Sequence, residues 1–186
     1  MKRYLFVILA LLQTVSTHAQ DGGVSTEKDE SKSLLVTGNT DSWFAEGVSL
    51  KNSRQFVLYP VKDNNKRKLP AGFLEHQRTI IKKKLQSAGV RIVPAAEDSK
   101  STVIKLIPVV TKYEPGSVGD RWIAPGMGVT ICIMRMTLFR GKEVIGEIIS
   151  WQQVAGGGLF SIGADEYVPE ETAKEIARAL LAKVRK

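Results

Sequence analysis

The chain has one cysteine, Cys132, and two histidines, His18 and His76, in 186 residues. A single cysteine excludes an intrachain disulfide and any cysteine-rich metal site. No grouping of His, Cys, Asp and Glu has zinc-ligand spacing, and no loop of alternating acids could take calcium. A Ser-His-Asp triad would need His76, yet no G-x-S-x-G nucleophile elbow occurs anywhere. Aromatic residues are only 7%, and beyond the N-terminal region no stretch is apolar enough for a transmembrane helix. What is present is ordinary: 43% hydrophobic and 25% charged residues. That composition excludes collagen-like, disulfide-scaffold and wholly disordered chains, and the length suits one domain with one core.

Residues 1–19 read as a cleaved secretory signal. Lys2 and Arg3 form the charged start, Leu5 to Leu12 the apolar run, and Thr17-His18-Ala19 the cleavage site before Gln20. The run is far shorter than the roughly 20 residues that span a bilayer. No cysteine follows it, which excludes a lipid anchor at this site. The expected mature protein is soluble, periplasmic or secreted, and keeps His76 as its only histidine. In that compartment a lone cysteine inside the apolar run Val129 to Met134 reads as a small buried hydrophobe.

Residues 20–54 read as a polar, largely flexible tail, with Leu34-Leu35-Val36 and Trp43-Phe44 as its only apolar clusters. Either cluster could dock as a short strand or turn. A single domain is expected over 55–186. Phe56 to Tyr59 reads as a strand closed by Pro60 and the polar loop Lys62 to Lys68. A helix is predicted from about Ala71 to Ser87, with Phe73, Leu74, Ile80, Ile81, Leu85 and Ala88 on one arc and Gly89 as the stop. Gln77 and Lys84 are the two polar residues inside that arc. Val90 to Val93 reads as a second strand and Thr102 to Tyr113 as a third, where Pro108 argues for an edge or a bulge. Val129 to Phe139 and Glu143 to Val154 pair as a hairpin around Arg140-Gly141-Lys142. A closing helix is predicted with Pro169 in its first turn and the stripe Ala173, Ile176, Ala177, Leu180, Leu181 and Val184. The expected fold is an α/β sandwich of the α+β kind: one mixed or antiparallel sheet of four to five strands, with two helices packed on one face.

Candidate sites divide by charge. The net charge is +8, and residues 62–91 alone hold nine bases against two acids. The bland account is a solvated helix face; the sharper one is a patch for an anionic envelope surface or an acidic partner protein. Lys82, Lys83, Lys84, Arg67 and Lys68 are its candidate binding residues. Nucleic acid fits poorly, because no aromatic residue interleaves with these bases. The loop Tyr113 to Trp122 adds Arg121 and Trp122, a pair suited to recognition. The glycine-rich segment Gly156 to Gly163 lacks the G-x-x-x-x-G-K-[ST] order, and Asp165, Glu166, Glu170 and Glu171 would repel a phosphate. No catalytic residue, cofactor or metal is assigned. The competing reading is a small carboxylate-dependent hydrolase using Asp120, Asp165 and Glu166, although capping is the simpler role for the last two.

The strand Val109 to Glu114 ending in Pro115-Gly116, followed by Arg121 and Gly126-Met127-Gly128-Val129, resembles domain-of-unknown-function family 4410, uncharacterised bacterial envelope proteins. The later Gly156-Gly157-Gly158 loop and the closing Ala/Leu helix are similar too, so the likeness runs over roughly 55–184. The resemblance implies an exported or lipid-anchored protein and no settled activity. This chain departs from the family in lacking a lipidation cysteine and in its short Arg140-Gly141-Lys142 turn. The reading is therefore a non-catalytic envelope protein that binds a partner or an anionic surface.

Overall fold

The structure is a computed structural model that describes residues 36–51, 53, 55–95, 103–117, 128–154 and 163–185. The expected signal segment 1–19 lies outside these residues, as do Asp120, Arg121, Trp122 and Gly156-Gly157-Gly158. In chain order the elements are β1 (Thr37–Phe44), β2 (Gln55–Leu58), β3 (Lys62–Asp63), α1 (Phe73–Ser87), β4 (Arg91–Ile92), β5 (Ile104–Glu114), β6 (Thr130–Arg140), β7 (Glu143–Val154) and α2 (Ala164–Arg185). They build one mixed seven-stranded sheet in the order β1-β7-β6-β5-β2-β4, with β3 also on β5. Among the described residues no helix is long and apolar enough to cross a membrane.

The antiparallel ladder β5–β6–β7 carries the fold. Thr130, Cys132, Met134, Met136 and Leu138 of β6 are all buried, while the residues between them are half-buried or exposed. Period-two alternation of this kind gives a sheet one dry face. Both helices cover that face, and one core joins Phe73, Ile81 and Leu85 of α1 to Val168, Ile176 and Leu180 of α2. At the other end of the sheet β2, α1 and β4 form a parallel crossover. The opposite face carries a small cluster of Val57, Val93 and Val103, with Tyr59 packed against it.

Four expectations are corrected. The sheet has seven strands, not four to five, because β1 and β3 join it. β1 comes from the segment read as a flexible tail. Its sequence lacks alternation because it is an edge strand, held by backbone pairing to β7 and by Thr40 Oγ1 bonded to Ser150 Oγ at 2.9 Å. Pro108 lies inside the sheet. Tyr59 N–H bonds to Leu106 O and Asn64 N–H to Val110 O, so the donor that Pro108 lacks would face the gap between β2 and β3. Finally, α2 begins at Ala164, five residues before Pro169. A proline there deprives the Asp165 carbonyl of its i+4 donor. Tyr113 Oη replaces it, donating to Asp165 O at 3.1 Å.

Two glycines let β1 approach closely. A Cβ on Gly38 would collide with the Trp151 carbonyl oxygen, and one on Gly146 would meet the Phe44 ring at 2.7 Å. Because the obstacle at Gly38 is backbone, Gly38→Ala must push the strand outward. We expect a loss of about 1–3 kcal/mol in urea unfolding. Amide exchange should accelerate over Thr37–Phe44 and not in α2; unchanged exchange at β1 would show that the contact is tolerated.

Candidate functional site

The structure divides the basic candidates between the two ends of α1. Lys82 and Lys83 are exposed near its C-terminal end, and Lys84 is half-buried. No ion pair holds any of the three among the described residues, whereas on α2 Lys174 pairs with Glu170 and Glu171, and Arg178 with Glu171 and Glu175. Lys84 also borders a hollow of about 390 Å³ with Ser87, Ala88, Arg178 and Arg185. Arg67 and Lys68 are exposed on the loop before α1. That loop is tied to the end of β5 through Asn65. Its Oδ1 accepts from Tyr113 N–H at 2.9 Å, and its Nδ2 donates to Tyr113 O at 3.2 Å and Arg67 O at 2.9 Å. At 1.5 Å per residue the 15-residue helix separates the two basic groups by roughly 20 Å. Arg121 and Trp122 lie outside the described residues.

A second feature was not assembled by the sequence reading. The helices run parallel: His76 meets Glu170 near their starts, and Lys84 and Ala88 meet Arg178 and Leu181 near their ends. Their two N-terminal ends therefore converge, and between them opens a pocket of about 520 Å³. Phe73, Tyr113 and Pro169 provide apolar wall, and Asp165, Glu166 and Glu170 provide carboxylates. The Phe73 and Tyr113 rings lie 4.6 Å apart between centroids at a 47° tilt.

Each wall has a local cause. In β5 the residues Ile104, Leu106, Pro108 and Val110 face the core, and simple alternation would put Lys112 inside and Tyr113 outside. A bulge between Val110 and Lys112 shifts the phase, so Tyr113 turns inward and is buried. Burial pushes its phenol up to about 12, with the charges of Asp165, Cys132 and Glu166 adding to the shift. It stays a neutral hydrogen-bond donor. Asp165 ties three segments together: its Oδ1 accepts from Thr130 Oγ1 at 2.7 Å and from Gly116 N–H at 3.1 Å. Glu166 is exposed, and no ion pair holds it among the described residues. His76, with its side chain 56% exposed, sits 3.1 Å from Glu170 through Nε2 and links the two helices at the surface.

Gln77, a polar interruption in the apolar arc of α1, is 1% exposed and lines the pocket. Its Oε1 has no hydrogen-bond partner among the described residues. Cys132 is fully buried, as its apolar run implied. Burial raises its thiol to about 12, against a lowering from Thr172. Among the described residues no group of three His, Cys, Asp or Glu could hold a metal ion.

No family profile matches the sequence, and no curated protein matches it either. Solved structures do share the fold. The PelC dodecamer from Paraburkholderia phytofirmans is 13% identical over 77% of this chain and 97% of that one, with a TM-score of 0.51. A second crystal form of that dodecamer, carrying a point substitution, is 12% identical over 81% and 100%, at 0.52. A neuraminyllactose-binding hemagglutinin homologue from Helicobacter pylori is 10% identical over 77% and 90%, at 0.46.

Two outcomes follow from this geometry. Tyr113→Phe removes the hydroxyl that donates to the Asp165 carbonyl at the start of α2, and should cost about 1–3 kcal/mol in denaturant unfolding. Cys132 should resist a thiol reagent at pH 8 in the native protein and react at once in urea. Its raised pKa keeps it a thiol well above that pH, so native-state labelling would place it nearer the surface than β6 does.

Proposed function

We propose that the chain is an exported envelope protein that acts by binding rather than by chemistry, and that Lys82 and Lys83 present it to an anionic envelope surface. The observation that supports this most directly is the contrast between the helices. Both carry basic residues, but Lys174 and Arg178 of α2 are paired with glutamates, while Lys82 and Lys83 are exposed and no ion pair holds them among the described residues. Charge without a local partner is what a surface of lipid headgroups or lipopolysaccharide phosphates can use. The resemblance to family 4410 belongs with this reading, because it too implies an envelope address. Asp165 favours binding over hydrolysis as well, since its Oδ1 serves as a structural tie.

A second reading makes the chain a structural subunit of an envelope assembly. It is favoured by the fold shared with the PelC protein, which is itself a dodecamer. The sedimentation coefficient of the mature chain separates a monomer from an assembly.

The surface reading is tested by sedimentation with vesicles of phosphatidylglycerol and phosphatidylcholine. Each lysine near an anionic bilayer contributes about 1 kcal/mol, so Lys82→Glu with Lys83→Glu should weaken binding at least roughly 30-fold at low salt. Binding to purely zwitterionic vesicles should be absent. Equal sedimentation with both vesicle types, or an unaffected double variant, would remove the proposal.

A further inference from the structure

The pocket between the helix starts lies at the other end of α1 from Lys82 and Lys83, and nothing in the surface-binding role uses it. Acidic residues at a helix start are ordinary, since they complement the helix dipole. A buried amide oxygen without a partner is not. Glutamine rarely sits fully buried on the apolar arc of a helix, and an unsatisfied buried polar group is costly unless something else satisfies it. Gln77 is 1% exposed, lines this pocket and has no donor to its Oε1 among the described residues. A half-turn about its last side-chain torsion exchanges oxygen and nitrogen, so the amide can turn its acceptor towards a ligand.

The surroundings define what that ligand must bring. Every carboxylate at the pocket is an acceptor, and so is the Gln77 oxygen, so the complementary group is rich in donors. Among the described residues no ion pair holds Glu166, and Glu170 shares its charge between His76 and Lys174. Phe73 and Tyr113 offer aromatic faces beside these charges, which attract cations and accept an alkyl stem. The pocket is also large enough, at about 520 Å³, for a group the size of a lysine side chain.

We propose that this pocket binds an alkylammonium group, with Glu166 and Glu170 supplying charge, Phe73 and Tyr113 the apolar sleeve, and Gln77 an acceptor at its base. An ammonium has three donors and no acceptor, matching the carboxylate and amide oxygens of the pocket. The group can arrive on a free amine or as a lysine of a protein, and the two sources differ in what surrounds the stem.

The test is an amide-resolved NMR titration of the mature chain with two probes, cadaverine and Nα-acetyl-lysine methylamide. Saturable shifts should centre on Phe73, His76, Gln77, Tyr113 and Glu166. Tighter binding of the lysine derivative would assign the site to a protein side chain, and tighter binding of cadaverine to a free amine. The Nε-acetylated lysine derivative, of similar shape but neutral, should not saturate. Glu166→Gln and Glu170→Gln should each weaken binding about two- to five-fold, as for other solvent-exposed ion pairs. Gln77→Leu separates ligand recognition from structure: it removes an unsatisfied buried oxygen, so it should unfold at the same or higher urea concentration while binding the probe more weakly. Equal response to the neutral derivative, no saturable shift with either amine, or full affinity in Gln77→Leu and both glutamate variants would overturn the proposal.

Discussion

One constraint governs the molecule: the ladder β5–β6–β7 must keep a single face dry beneath two helices. Because strand side chains alternate with period two, a slip of one residue would carry Met134, Met136 and Leu138 into solvent. The register is fixed along the whole of β6, from Thr130 opposite Val154 to Arg140 opposite Glu143. Departures from it are confined to two places, between Val110 and Lys112 in β5 and around Ile145 in β7, where the pairing of β6 steps from Gly146 to Val144. Each delivers a side chain that strict alternation would misplace: Tyr113 turns into the core, and Ile145 and Gly146 are buried side by side. The pocket is thus a product of irregularity in an otherwise regular ladder.

That irregularity links backbone repair to the candidate site. Pro169 breaks the hydrogen-bond ladder of α2 at the Asp165 carbonyl, which lies beside the end of β5. Tyr113, turned inward by the bulge, repairs the break with its hydroxyl while its ring faces Phe73. The side chain of Asp165 meanwhile gathers Thr130 and Gly116. A few polar contacts therefore fix the junction of α2, β5 and β6, and also shape one wall of the pocket. Stability and recognition share the same atoms there.

The strongly periodic parts were legible in the sequence. Both helical stripes, the β6–β7 hairpin and the buried Cys132 follow from spacing alone. The polar edge strand β1 was not, because an edge strand satisfied by backbone pairing needs no alternating pattern. The position of Pro108 misled for a related reason: a proline signals a missing donor, and the sequence does not show that the neighbouring strand is interrupted opposite it. The basic segment was visible as composition, but its division between the two ends of α1 needed the helix axis. The pocket was hidden most thoroughly. Gln77 was noticed as a blemish on the apolar arc, and Asp165 and Glu166 as acids before a helix, yet only the parallel packing of α1 on α2 brings them together.

Parallel neighbours are an electrostatic cost in themselves, because two aligned helix dipoles repel. Here the side chains oppose that repulsion, with Asp165 and Glu166 at one end and Lys84, Lys183 and Arg185 at the other. The result is a helix pair with poles. With the Lys82–Lys83 end of α1 turned towards an anionic layer, the pocket would stand off by up to about the length of that helix, roughly 20 Å. Attachment and capture would then lie towards opposite ends of α1, so neither would obstruct the other.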